Sequence, residues 1–78
     1  MNLVGCAESD IAVCDLVPGH RYVFGGEKWP LDKTIERLFI GIQEVSMRNG
    51  SLSFLILQRN DGSQHLVLMD LVRMIVRA

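Results

Sequence analysis

From Leu38 to Met69 apolar segments are separated by two clusters of turn formers, Asn49-Gly50 and Asn60-Asp61-Gly62, and apolar and polar residues alternate with a period of two on either side of the first, in Val45–Met47 and Ser51–Phe54. A period of two is the signature of strands, and such clusters mark hairpins. Read as the two-residue loop of a type I′ hairpin, Asn49-Gly50 pairs Arg48 with Ser51, Met47 with Leu52 and Val45 with Phe54. Continued unchanged, that register would set Gln43 against Ile56. A β-bulge is therefore expected near Gln43-Glu44, which brings Ile42, Ile40 and Leu38 onto the same apolar face. The second cluster reads as a type I turn with Gly62 in a G1 bulge, pairing Ile56 with Leu66 and Phe54 with Leu68. Both hairpins thus predict Phe54 and Ile56 as core.

The same pairings set Leu55 beside Val67, Leu57 beside His65 and Met69 beside Ser53 on the opposite face, where Phe39 also projects. A meander with one solvated face should be polar there. Because these positions are largely apolar, either the N-terminal segment covers them or they meet another chain.

Upstream, Val17-Pro18-Gly19 reads as a turn and His20–Phe24 as a strand with Tyr22 and Phe24 on one face. The stretch from Gly25 to Lys33 has no periodicity and reads as a loop. Its Trp29 is either a lid on the core or an interface anchor. Residues 1–15 predict a short helix, with Ser9 or Asp10 as its cap, or an irregular arm. At the other end, Asp70-Leu71-Val72-Arg73 predicts one helical turn capped by Asp70, followed by a last strand Met74–Arg77.

This order of strand, long loop, bulged strand, tight hairpin, strand, tight hairpin, strand, single turn and strand resembles the SH3-like small barrels, including Sm-like and Tudor-like relatives. The residues that carry the resemblance are Pro18-Gly19, Tyr22, Phe24, the Gly25–Lys33 loop, Asn49-Gly50, Asn60-Asp61-Gly62 and the segment from Asp70 to Ile75. It implies a mainly β fold, a five-stranded SH3-like barrel over residues 16–78, with residues 1–15 as an arm of the same single domain. It is a likeness of layout and transfers no functional residue. The paired tyrosines that bind proline-rich ligands are absent, as is an Sm-type RNA pocket.

Composition narrows the chemistry. A chain of 78 residues, 49% of them hydrophobic, is small enough to leave apolar surface uncovered. Eight basic and nine acidic residues leave a charge of −1, without the excess that drives non-specific phosphate binding. Leu3-Val4-Gly5-Cys6 resembles a lipobox but lacks a preceding basic segment and apolar run, so a cytoplasmic protein with reduced Cys6 and Cys14 is expected, with no membrane partner. Cys6, Cys14, His20 and His65 have no zinc-knuckle spacing, and Gly25-Gly26-Glu27-Lys28 lacks the phosphate-loop pattern. No metal, cofactor or catalytic group is expected.

The sequence therefore predicts a non-catalytic protein-binding module, such as a phage or mobile-element inhibitor or adaptor. It would dock on a protein or self-associate through Trp29, Phe39, Leu55, Leu57 and Val67. The alternative is a nucleic-acid-binding small barrel acting through Arg48, Arg59, Arg73 and Arg77.

Overall fold

A computed structural model describes residues 11–78. The chain is mainly β, with five antiparallel strands in a single sheet ordered β4-β3-β2-β1-β5. The strands are β1 (Arg21–Gly25), β2 (Ile35–Met47), β3 (Gly50–Gln58), β4 (Gln64–Leu68) and β5 (Met74–Arg77). Two 3-10 turns, Val13–Asp15 and Met69–Leu71, are the helical elements among the described residues. β4 and β5 do not pair, so the sheet is open.

The Asn60-Asp61-Gly62 hairpin forms as expected. Gly62 N–H donates to Arg59 O (3.0 Å) and Arg59 N–H to Ser63 O (2.8 Å), with Gly62 at φ +92° in the region that favours glycine. Asp61 accepts hydrogen bonds from Ser63 Oγ (2.7 Å) and Ser63 N–H (2.9 Å). These bonds hold its carboxyl below the ordinary value of 3.8. The predicted pairs Phe54–Leu68, Leu55–Val67, Ile56–Leu66 and Leu57–His65 are all present.

The first hairpin differs by one residue at its turn. Arg48-Asn49 is the loop and Gly50 opens β3 at φ +141°, pairing with Met47, so Val45 meets Leu52 and Gln43 meets Phe54. The bulge falls between Phe39 and Gly41 instead of at Gln43-Glu44. Both registers keep Val45, Met47, Leu52 and Phe54 on one face because they differ by a slide of two residues, and a period-two pattern is blind to such a slide.

The larger correction concerns which face is inside. Leu55, Leu57, Val67 and Phe39 are buried in the core with Leu16, Tyr22, Phe24, Leu31 and Ile75. The expected core face is instead the outer one: Phe54, Ile56, Leu52 and Leu68 are half-exposed, while Val45, Met47 and Leu66 are exposed. β1 decides the matter. Its register sets Tyr22 against Arg37 and Phe24 against Ile35, on the side where Phe39 projects. Tyr22 then packs edge-on against both Phe24 (6.2 Å) and Phe39 (6.5 Å). Its hydroxyl accepts the Val17 N–H at 3.0 Å, so this buried polar group is satisfied.

The remaining segments close over that inner side. The turn at Val17-Pro18-Gly19 forms, with His20 N–H on Val17 O, and the loop after β1 lowers Leu31 into the core. The first 3-10 turn is preceded by Ala12 and has no side-chain cap, and the predicted caps Ser9 and Asp10 lie outside the described residues, as does Cys6. The second turn covers Met69–Leu71 with Leu68 before it, so Asp70 sits inside the turn and not at its cap. Among the described residues no helix is long and apolar enough to cross a membrane.

Candidate functional site

Two surfaces are distinctive: the outer face of β2-β3-β4 and a cleft along the open side of β4. The outer face is built by cross-strand pairing. Gly41, Ile56 and Leu66 form one row, Gln43, Phe54 and Leu68 the next, Val45 and Leu52 a third. These rows contain no charged side chain. The nearest ion pair, Arg21 to Glu36 at 3.0 Å, lies at one end of the sheet, and Arg48 lies in the turn at the other. A solvated antiparallel face ordinarily alternates to polar residues, so this face lacks its solvent-facing half.

The β2–β3 hairpin carries the apolar strip past the core. Thirteen residues of β2 at a rise of ~3.3 Å span roughly 43 Å. The described body measures 47 × 32 × 23 Å, so β2 accounts for most of the long dimension. On this projecting part Val45, Met47 and Leu52 lie on one side and Glu44, Ser46, Ser51 and Ser53 on the other. The hairpin is amphipathic, with nothing among the described residues covering its apolar side.

The cleft has a volume of about 500 Å³ and runs between the Trp29-Pro30 loop and β4. Arg37 and His65 meet in its lining, where Arg37 Nε donates to His65 Nε2 at 3.1 Å. Accepting that bond requires a neutral imidazole. Burial first, then the positive charges of Arg59 and Arg37, hold the His65 pKa below its ordinary 6.5.

A depressed histidine pKa leaves the unfolded chain binding more protons between the folded and unfolded values. Stability is then full above about pH 6.5 and falls as pH drops towards the folded value. Thermal unfolding should therefore lose more stability between about pH 7.5 and about pH 5.5 in the wild type than in His65→Gln, whose amide oxygen still accepts from Arg37. Equal losses in the two proteins would remove His65 as the cause.

The sequence-predicted site residues are split between interior and surface. Phe39, Leu55, Leu57 and Val67 are core side chains and make no exposed face. The geometry that buries them is the β1 register, which the turn pattern downstream does not contain. Trp29 is 80% exposed on its loop, so it does not lie on the core as a lid. Val45, Met47, Leu52 and Leu66 were missed as surface residues, although the absence of charge among them was visible in the sequence.

The arginines Arg48, Arg59, Arg73 and Arg77 are not brought together. Arg48 is in the turn before β3 and Arg59 follows its far end, a separation on the order of 30 Å along the strand. Arg73 Nη1 donates to the carbonyls of Asp70 (2.7 Å) and Val72 (3.3 Å), and Arg77 lies beside Tyr22 at the other edge of the sheet. Cys14 is a free, exposed thiol, and among the described residues no three His, Cys, Asp or Glu side chains are placed to hold a metal ion. No protein-family model matches the chain, and neither a curated protein nor a solved structure matches it.

Proposed function

We propose that this chain is a non-catalytic protein-binding module that docks on another polypeptide through the outer face of β2-β3-β4. The observation that carries the reading is the uncharged, apolar character of an exposed sheet face, from Leu66 across Ile56 and Phe54 to the tip of the projecting hairpin. The strand order β4-β3-β2-β1-β5, with a bulged β2 and a 3-10 turn before β5, supports reading the sheet as an SH3-like small barrel left open between β4 and β5. In such a fold the site is grafted onto the frame and is not implied by it.

The experiment uses Val45→Asp/Met47→Asp, at two exposed positions on the hairpin. Because these side chains are outside the core, unfolding stability should change by no more than about 0.5 kcal/mol per site. Partner capture, or the self-associated mass seen by light scattering, should fall at least about tenfold, since placing a carboxylate at an apolar contact strands a charge. Unchanged mass and unchanged partners in this variant would remove the proposal. A small inhibitor or adaptor role fits the size and the docking surface. The nucleic-acid alternative would need Arg48, Arg59, Arg73 and Arg77 to act from separate parts of the sheet.

A further inference from the structure

The side chains of β4 alternate, so Leu66 and Leu68 face outwards while His65 and Val67 face inwards. A cleft bordered by all of them must therefore follow the open backbone edge of the strand and not one of its faces. Hydrogen bonding gives the same result. The bond from Arg59 N–H to Ser63 O makes that pair a hydrogen-bonded one. In an antiparallel ladder such pairs alternate, which places the next ones at Leu57/His65 and Leu55/Val67. Leu66 then directs its N–H and C=O away from β3, and among the described residues neither forms a backbone bond outside the ladder.

The other free edge is treated differently. Ile75 O on β5 accepts the Ile11 N–H at 2.8 Å, so the chain itself covers that edge in part. At β4 the neighbouring groups are Trp29 and two arginines. The cleft lining includes Arg37 and Arg59 and no carboxylate. Arg37 uses only two of its five N–H donors, on His65 Nε2 and Glu36 O, and Arg59 uses one on Ser63 Oγ, so both guanidinium groups keep donors for a ligand. The one ion pair among the described residues, Arg21–Glu36, involves neither.

We infer that the cleft binds an extended peptide segment carrying acidic side chains, added as a further strand to the open edge of β4. Main-chain bonds to Leu66 supply register, Arg37 and Arg59 take the carboxylates, and Trp29 packs over an apolar residue of the segment. The arrangement favours a peptide over nucleic acid because the unpaired groups of a strand edge match a peptide backbone and have no counterpart along a phosphate chain. The inference builds on the protein-binding reading but uses a different surface.

The test is selection of the full chain against a random peptide library, followed by titration of the enriched peptides. Enriched peptides should carry an excess of Asp and Glu and should slow hydrogen exchange at the Leu66 N–H. Arg59→Gln should weaken them by about tenfold, the loss of one charge-assisted contact. Val45→Asp/Met47→Asp leaves the cleft intact and should bind the same peptides as the wild type, so failure of this inference and failure of the outer-face reading are distinguishable. Enrichment without acidic bias, exchange changes confined to the outer face, or an oligothymidylate that competes at the Leu66 amide would each overturn it.

Discussion

Leu55→Ala is expected to destabilise the protein by roughly 2–5 kcal/mol, the range for truncating a fully buried leucine. Leu55 has 0% exposure and lies in the core cluster with Phe39, Leu57 and Val67. Its side chain is packed within the buried core cluster on the inner side of the sheet, and the surrounding strands are held by their hydrogen-bond ladders. They collapse only partly into the vacated volume, so a cavity cost adds to the lost transfer energy. A domain of this size has a total stability on the order of 5–10 kcal/mol, so the loss is a large fraction of it. Urea unfolding checks the prediction by a lowered midpoint at unchanged slope.

Leu66→Ala is the informative control. Leu66 is 49% exposed on the opposite side of the neighbouring strand, one position away from Val67, which is paired with Leu55. Its truncation is expected to cost less than about 1 kcal/mol. Equal costs at Leu55 and Leu66 would mean that the inner and outer faces have been exchanged. The comparison also bears on function, since a chain whose outer leucines are dispensable for folding keeps them for another purpose.

That exchange is what the sequence leaves open, for a definite physical reason. In Phe54–Leu57 and Leu66–Met69 apolar residues occupy consecutive positions, so both faces of β3 and β4 qualify as core by periodicity. The turn at Asn60-Asp61-Gly62 was legible because Gly62 must take a positive φ, and one residue with an unusual backbone requirement fixes a whole register. Asn49-Gly50 was less decisive, since glycine also serves as the first residue of β3, and a slide by two residues preserves every face. Choosing the inner face needed the partner of β1. Tyr22 and Phe24 were correctly read as sharing a face, but the contact of Tyr22 with Phe39 across the β1–β2 ladder depends on the length of the intervening loop. The candidate site follows the same division. Trp29 was recognisable from residue type and loop context, whereas Arg37 entered no sequence argument, because only the fold brings it against His65 from a strand that does not neighbour β4.

Gly26→Ala is expected to destabilise by about 1–3 kcal/mol and to disturb the cleft as well as the core. A methyl group built on Gly26 would fall within contact distance of Leu71 O and lie 3.1 Å from Leu31 Cβ. The first obstacle is backbone in the 3-10 turn before β5, so a side-chain rotation does not relieve it. Gly26 N–H donates to Leu31 O at 2.8 Å, and Arg73 N–H donates to Gly25 O at 2.8 Å. These bonds tie the loop after β1 to its own far end and to the segment leading into β5. Relieving the clash means moving the loop off the turn, which draws the buried Leu31 outward and shifts Trp29 relative to Arg37 and Arg59. Gly41→Ala supplies the comparison, since its added methyl meets nothing within 4 Å. Its effect should remain within about 0.5 kcal/mol. Urea midpoints of the two variants test the structural step, and affinity for the peptides selected on the wild type tests its consequence. A Gly26→Ala protein as stable as Gly41→Ala, with undiminished peptide affinity, would show that the loop does not depend on its seat against the turn, and the cleft wall would then have to be held by other contacts.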